Sequence, residues 1–596
     1  MAERKVIRYE TDVLVIGGGL AGCMAAIKAS EESGLHVTLA DKSNTLRSGC
    51  AGSGIDHLWA YIPEIHEKMG YTLENMAEDH RLGMASGFLR KDLFYLIAKT
   101  MYDRVLDLEK MGIIFRYEDS KAPGKFRVVE QFHSVPASFN FDGAPLKPTL
   151  TKEARRRGIA IINRVQMTDL TTTDGQISGA VGVDTRTGDL YFFKAKAVVL
   201  STGRSNRLSR NPTGFDFNTR IPSSMSGDGT SMAMRAGLPI INAEFLGGQN
   251  TLAPSGNYNP NYGDPRNTVQ PAARIIDGAG NVIVPRTRFY EWESLGKEKW
   301  SENVRREWLQ GMRRSHLTDP KTNAPLSMRV KRGEGPFYLD FSEATDYEKD
   351  YIEWSIRNEG KGTQFMRYFK DEEGADLRKN PQEYSGYWPR EMAGTAAKGI
   401  WVDSALETDI KNLFAAGDEV GGVPWQAGPG AVAQGWYAGE MAAQRAKQQN
   451  AFLPVEEDTV KTRKEMCSRI LDSEAGFYWK EVELYVQNLM DFYCGGVRSK
   501  GLLERGIARL DDAKEAPLKA ENPHELGRAL DVKSIIDNAE LILRSSLERT
   551  ETRGGLLGSF VRAEYPEQDD KNWHCFLAIK QNADGRFTFT KIPLEN

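Results

Sequence analysis

The stretch ETDVLVIGGGLAGCMAAIKA, residues 10–29, constrains the fold more than any other part of the chain. Val13, Leu14, Val15 and Ile16 form a short apolar run rich in β-branched residues, which predicts a buried parallel strand. Gly17, Gly19 and Gly22 then give G-x-G-x-x-G at a strand-to-helix turn. Gly17 permits the tight turn, Gly19 lets the backbone approach a pyrophosphate, and Gly22 lets helix and strand pack closely. Ala21, Cys23, Ala25 and Ala26 keep the following helix slim. Its N-terminal N–H groups and dipole would face the phosphates. A second apolar strand over residues 36–40 ends at Asp41, near the ~20-residue spacing of a ribose-binding acid. Glycine-rich turns without a ligand are common. The strand before, the helix after and the acid beyond favour a dinucleotide.

The 596 residues exceed what one hydrophobic core serves and predict about two to four domains. A net charge of −4 gives no general pull toward nucleic acid or anionic membrane. No apolar run approaches the ~18 residues of a membrane span. The first residues, MAERKVIRYETD, lack an apolar signal core. The expectation is a cytoplasmic chain with no direct membrane insertion. Five cysteines, Cys23, Cys50, Cys467, Cys494 and Cys575, are scattered without a C-x-x-C pair. Eight histidines are equally dispersed, with no H-x-x-x-H. This argues against an internal iron–sulfur cluster, a structural zinc site or a disulfide scaffold, so no protein-bound metal is expected.

Residues 161–203 alternate apolar strands with the turns DG and TG and end in AKAVVLSTG, a buried strand running into Ser201, Thr202 and Gly203. SGDGTSMAMRAGLP (226–239) is a glycine loop followed by an Ala/Met helix. From 248 to 392 the chain is rich in Asn, Pro, Gly, Arg and aromatics with little periodicity, which reads as an inserted lid or capping domain. GIWVDSALETDIKNLFAAGDEVGG (399–422) returns to strand, turn and strand, and AGPGAVAQGWYAGEMAAQRA (427–446) to a glycine-rich turn and helix. Residues from 455 to 550 have helical periodicity, and the last thirty form a strand-bearing tail. The expected units are 1–247 and 393–454 as two parts of one α/β cofactor domain, 248–392 as the cap, and 455–596 as a helical domain with the tail.

One N-terminal fingerprint, one LSTG strand and one LFAAGD strand in a single chain resemble the FAD flavoproteins of the fumarate reductase, succinate dehydrogenase and L-aspartate oxidase superfamily. SSLERTETRGG (545–555) before RAEYPEQDDKNW (562–573) is similar to that superfamily's C-terminal signature. RSGCAGSGI and the tail WHCFLAIKQNADGRFTFTKIP look most like the α subunits of dissimilatory adenylylsulfate reductases. The resemblance implies a Rossmann-like FAD-binding domain of the fumarate reductase type, an inserted α+β capping domain and a C-terminal helical domain.

It also implies cofactor contacts. Gly17, Gly19 and Gly22 match the pyrophosphate loop. Asp41 and Lys42 match the adenosine end, and Ser48, Gly49 and Gly54 the loop under the isoalloxazine. Val165 matches the residue whose backbone meets the adenine. Thr202, Gly203 and Asp228 match inner loops near the cofactor, and Gly417 and Asp418 the strand end beside the ribityl chain. Ala431 and Val432 sit where a helix N-terminus should point at the flavin's N1–C2=O, where negative charge gathers on reduction. Covalently flavinylated members carry a His after Arg-Ser in this loop. Here Arg47 and Ser48 precede Gly49 and Cys50, so FAD should be non-covalent. Cys50 reads as a small packing residue.

The substrate end departs from the family. In REMAGTAAKGIWVD (390–403) the expected His is missing and Thr395 lies nearest. In PLSMRVKRGEGPFYLD (325–340), Arg329 and Arg332 could form an anion clamp. NAEFLGGQNTLAP (242–254) keeps Glu244 and Phe245 but lacks the basic residue of the adenylylsulfate enzymes. A Trp expected before SGDG is replaced near Arg220 and Ile221. Asp56 and His57 directly follow the isoalloxazine loop, and His57 is a candidate proton donor or base, or else a structural His. His133, in VVEQFHSVPASFNF, is a second candidate, with a structural role favoured. Trp425, beside Gln426, would either stack on a planar substrate or simply pack. Trp59, Tyr61 and Gln249 add an aromatic, neutral polar lean.

The combined expectation is an FAD-dependent oxidoreductase exchanging a hydride at flavin N5 with a small organic substrate. Asp56, His57, Arg329 and Trp425 are its candidate catalytic residues. Electrons would pass to a ferredoxin-like iron–sulfur subunit in a hetero-oligomer. A self-contained enoate reductase or oxidase, and a non-catalytic electron-transfer flavoprotein, are the alternatives.

Overall fold

The computed structural model describes residues 4–594 except Ser53, Asp56 and the segments 118–123, 131–132, 211–221, 247–272, 287–300, 303–304, 307–328, 330–332, 347–348, 351–375, 377, 385–397, 455–456 and 554–559. Asp56, Arg220, Ile221, Gln249, Arg332 and Thr395 therefore lie outside the described residues.

The central sheet has seven strands: β1 (Val6–Ile16), β2 (Val37–Asp41), β3 (Ala160–Asn163), β4 (Val165–Thr173), β5 (Gln176–Asp184), β6 (Leu190–Leu200) and β7 (Leu413–Ala415). Their order is β3-β2-β1-β6-β5-β4, with β7 also on β6. β1 pairs in parallel with β2 and β6 along its two edges. Val13, Leu14 and Val15 are fully buried, as a strand covered on both faces requires. Each such side chain contributes about 1.5–3 kcal/mol of burial. β4, β5 and β6 form an antiparallel meander. Asp174 (φ 51°) and Gly175 (φ 74°) make its first turn, the two-residue left-handed turn that matches strand twist. One edge of β6 serves two strands: Leu190–Lys194 face β5, and Val198–Leu200 face β7. The strand after the cap thus returns beside β6, one strand away from β1.

Helix α1 (Leu20–Ala29) leaves β1 through the glycine loop, and helix α2 (Leu146–Arg156) packs beside it. Helix α3 (Asp228–Arg235) is the Ala/Met helix, and α4 (Ala427–Gln448) follows β7. α1 and α4 touch backbone to backbone: a Cβ on Gly435 would lie 2.3 Å from the Ala21 carbonyl oxygen, and one on Gly439 2.2 Å from that of Ala25. Small residues four apart on both helices allow this approach.

Part of 248–392 is an antiparallel sheet of Val282–Val284, Arg274–Asp277, Phe337–Asp340 and Gln382–Tyr384, in that spatial order. Arg305 of this segment donates to buried Asp79 at 2.7 Å, which ties it to the first domain.

A helical region follows, with Glu457–Leu471, Trp479–Tyr493, Lys500–Glu515 and α5 (Pro523–Glu548), before the short helix Asp570–Trp573 of the tail. Val486, Leu503, Leu526 and Ile535 share their core. Asn522 caps α5 by accepting from Glu525 N–H, with Pro523 in the first turn. The tail hairpin, Cys575–Gln581 with Phe587–Pro593, joins Ile240–Ile241, which pairs Gly399–Ile400. The tail therefore closes a sheet made from segments on both sides of the cap. Among the described residues, no helix is long and apolar enough to cross a membrane, and no cluster of three or more His, Cys, Asp or Glu could hold a metal ion.

Candidate cofactor site

A single cleft runs along the C-terminal ends of the parallel strands, where open α/β sheets bind ligands. It is lined by Gly17, Gly19, Asp41, Lys42, Ser48, Gly49, Val165, Thr202, Gly203, Asp228, Asp418 and Ala431, together with His57 and Trp425. Residues distant in sequence thus meet around one space. Gly22, Gly54, Gly417 and Val432 lie outside that lining. Gly22 packs the helix onto the loop, since a Cβ there would sit 1.8 Å from the Gly17 carbonyl oxygen. Val432 is fully buried, in the core. The Gly417 N–H donates to Gln434 Oε1 at 3.0 Å.

The glycine loop has the geometry that a phosphate group needs. Gly17 has φ 101°, and a Cβ there would strike the Ser201 carbonyl oxygen at 2.5 Å. A Cβ on Gly19 would meet nothing closer than Gly49 Cα at 3.8 Å, so that side of the loop is left bare. Asp41 accepts from Gly18 N–H and Ser43 N–H, both at 2.6 Å, and so fastens β2 to the loop. Each carboxylate oxygen keeps acceptor capacity for a sugar hydroxyl.

Lys42 is engaged within the protein. Its Nζ donates to Asp228 at 2.6 Å, Ser226 at 2.8 Å and Asp531 at 2.9 Å. Burial works against the ammonium, but the charges of Asp228 and Asp531 outweigh it and raise its pKa. Burial opposes ionisation of Asp531 too, yet Lys42 and Arg207 hold its carboxyl down at about 2. Ser534 of α5 also donates to Asp228, at 2.8 Å. The C-terminal helical region therefore backs Lys42 and Asp228 from behind the cleft lining.

Arg204 grips Asp418 with two hydrogen bonds, Nε at 2.7 Å and Nη2 at 3.2 Å. Behind this pair, Glu419 accepts from Thr202 N–H at 3.0 Å and from Thr230 at 3.2 Å. Burial pushes Glu419 up to about 7 against these donors and the charge of Lys398. Burial likewise pulls Lys398 down to about 7, against Glu419. Lys398 Nζ donates to Asn538 Oδ1 at 2.6 Å and Ser205 Oγ at 3.0 Å.

At the other end, Ala427, Gly428 and Ala431 bring the first turn of α4 to the cleft. Gln426 Nε2 donates to the carbonyls of Gly417 (2.8 Å) and Val420 (3.0 Å), and Gln434 Nε2 donates to Gln426 Oε1 at 2.7 Å. This closed set of amide bonds fixes the helix start against the strand end. Trp425 has φ 58°, and its carbonyl accepts from Trp59 Nε1 at 3.4 Å. His57 begins a short strand paired with Pro136–Asn140. His133 is buried beside Trp59 and His80, with ring centroids 5.4 and 5.5 Å away. Arg329 pairs with Glu334 at 2.6 Å and does not line the cleft.

Sequence reading did not single out Arg204, Lys398, Glu419, Gln434 or Asp531. Arg204, Lys398, Glu419 and Asp531 act through contacts distant along the chain, Gln434 through the nearby strand end and helix start, and no local pattern marks them.

Fold and cleft define a dinucleotide-binding α/β protein with an inserted cap. Residues 12–257 match the FAD binding domain family, and residues 483–596 match the fumarate reductase flavoprotein C-terminal family. The matching subunit of the fumarate reductase (CoM/CoB) of Methanothermobacter marburgensis is 26% identical over 97% of this chain and 98% of its own. The α subunit of the adenylylsulfate reductase of Megalodesulfovibrio gigas is 22% identical over 97% of this chain and 94% of its own. The adenylylsulfate reductase structure from Archaeoglobus fulgidus superposes with a TM-score of 0.81 at 23% identity, covering 100% of this chain and 97% of that one. The E. coli quinol fumarate reductase flavoprotein does so at 0.77 and 19%, covering 99% and 97%. The chain belongs to the FAD flavoproteins of the fumarate reductase and succinate dehydrogenase superfamily. It is an FAD-dependent oxidoreductase.

Proposed function

We propose that this chain is the catalytic flavoprotein of a cytoplasmic two-component oxidoreductase that turns over a small organic substrate. The observation that carries the reading is the single cleft joining the glycine loop to His57, Trp425 and the start of α4. Bound FAD would supply hydride exchange at its N5 position. The start of α1 and the bare face of Gly19 would hold the diphosphate, with Asp41 on the ribose. The first turn of α4 would favour negative charge at the far end of the flavin. His57 would pass the accompanying proton, and Trp425 would cover the reacting face and exclude water. Segment 248–392 would cap the substrate, with Arg329 available to an anionic group only after exchanging Glu334.

Electron exchange with a separate iron–sulfur subunit is supported by the naming of the relatives, and this chain's own cysteines do not gather. Cys23, Cys467, Cys494 and Cys575 are buried and Cys50 is half-buried, with no metal-holding cluster among the described residues. The relatives from Methanothermobacter marburgensis and Megalodesulfovibrio gigas are themselves named as subunits of larger enzymes.

The test is the reoxidation of anaerobically reduced holoprotein by a panel of unsaturated carboxylic acids, fumarate included, with and without the partner. His57→Ala should retain flavin and slow the reactive substrate by about 10²-fold. Unchanged rates with flavin bound would remove His57 from the mechanism.

A further inference from the structure

Lys147, in the first turn of α2, is fully buried. Its Nζ donates to the Gly18 carbonyl at 2.5 Å and the Gly19 carbonyl at 3.4 Å, and lies 3.0 Å from Cys23 Sγ. Among the described residues no carboxylate pairs with it. Lys42 is neutralised by Asp228 and Asp531, and Arg204 by Asp418. An unpaired buried ammonium is costly, and its cost falls when an anion arrives nearby.

The loop geometry adds a second reason. The Gly18 carbonyl also accepts from Ser48 Oγ at 2.8 Å, while the Gly18 N–H is taken by Asp41. Gly17 and Gly19 line the cleft and Gly18 does not. Lys147 and Ser48 thus hold a carbonyl, which would repel phosphate oxygens, on the inner side of the loop.

Given the FAD reading, we propose that Lys147 is a positioning residue for the cofactor's diphosphate. It keeps the loop carbonyls turned inward, and its buried charge is compensated only when the diphosphate binds. The lysine acts through the loop and does not touch the ligand.

The experiment compares apoprotein of the wild type, Lys147→Met and Lys147→Gln. It measures FAD affinity by flavin fluorescence, ADP affinity by competition, and thermal stability without ligand. Gln keeps a donor for the Gly18 carbonyl but no charge. Both variants should lose about tenfold or more in affinity for FAD and for ADP, with apoprotein melting no lower than in the wild type. Either uncharged variant binding FAD and ADP within twofold of the wild type would overturn the proposal. So would a fall in apoprotein melting with both affinities unchanged, which would make Lys147 a structural peg. Failure of the wild type to bind FAD is a separate result and would strike the cofactor reading itself.

Discussion

Gly435 and Ala21 meet backbone to backbone, leaving no room for even a methyl group: its carbon would lie 2.3 Å from the Ala21 carbonyl oxygen. The contact binds the two helices whose first turns face the cleft, one after the glycine loop and one after Trp425. Gly435→Ala forces α1 and α4 apart. A loss of about 1–3 kcal/mol is expected, with reduced flavin content. Denaturant unfolding and the flavin-to-protein ratio measure both, and an unaltered, fully loaded variant would show that the helices need no such contact.

Arg204 and Asp418 form a nearly buried bidentate pair on the cleft wall, with side-chain exposures of 7% and 12%. Breaking it from one side leaves a charge without its partner. Arg204→Met alone should cost about 3–5 kcal/mol, whereas Arg204→Met with Asp418→Leu should cost less. A double-mutant cycle reads the difference. Simple additivity would mean that the pair is not energetically coupled.

Lys398 and Glu419 give a pH signature. The folded pKa of Glu419 is raised to about 7, so its contribution to stability is full below its ordinary value of 4.5 and is lost as pH rises through 7. The folded pKa of Lys398 is depressed to about 7, so its contribution is full above 10.5 and is lost as pH falls through 7. The pair therefore stabilises least near neutrality. Glu419→Gln should remove a decline in stability between pH 4.5 and 7, and Lys398→Met a rise between 7 and 10.5. Melting temperatures across pH, taken as variant minus wild type, decide it. Differences that stay flat in both windows would mean that neither group titrates as placed.

The parts of the site that were legible in the sequence are local ones. The run of four apolar residues before Gly17 and the spacing to Asp41 are written within one βαβ unit, and backbone geometry enforces both. The DG turn after β4 was equally plain, because few residue pairs accept two left-handed conformations. Lys147, Asp531 and Asn538 reach the site from remote helices, where they interrupt no local pattern. Lys42 shows the converse. Its place after Asp41 marked it for the cofactor, yet Asp531, nearly 500 residues on, already shares its charge. From sequence the tail is a strand-bearing end. Its pairing with Ile240–Ile241 and, through it, Gly399–Ile400 could not be read from alternation alone.

The most direct test is the visible spectrum of the protein purified without oxygen from its native source, before and after acid precipitation, with co-purifying chains identified. The expected result is a flavin band that passes wholly into the acid supernatant as FAD, since no histidine follows Ser48, together with a broad iron–sulfur absorbance carried by a small second chain. Flavin that stays with the precipitate would contradict the non-covalent site. Releasable flavin with no second chain would contradict the two-component enzyme and leave a self-contained reductase or oxidase.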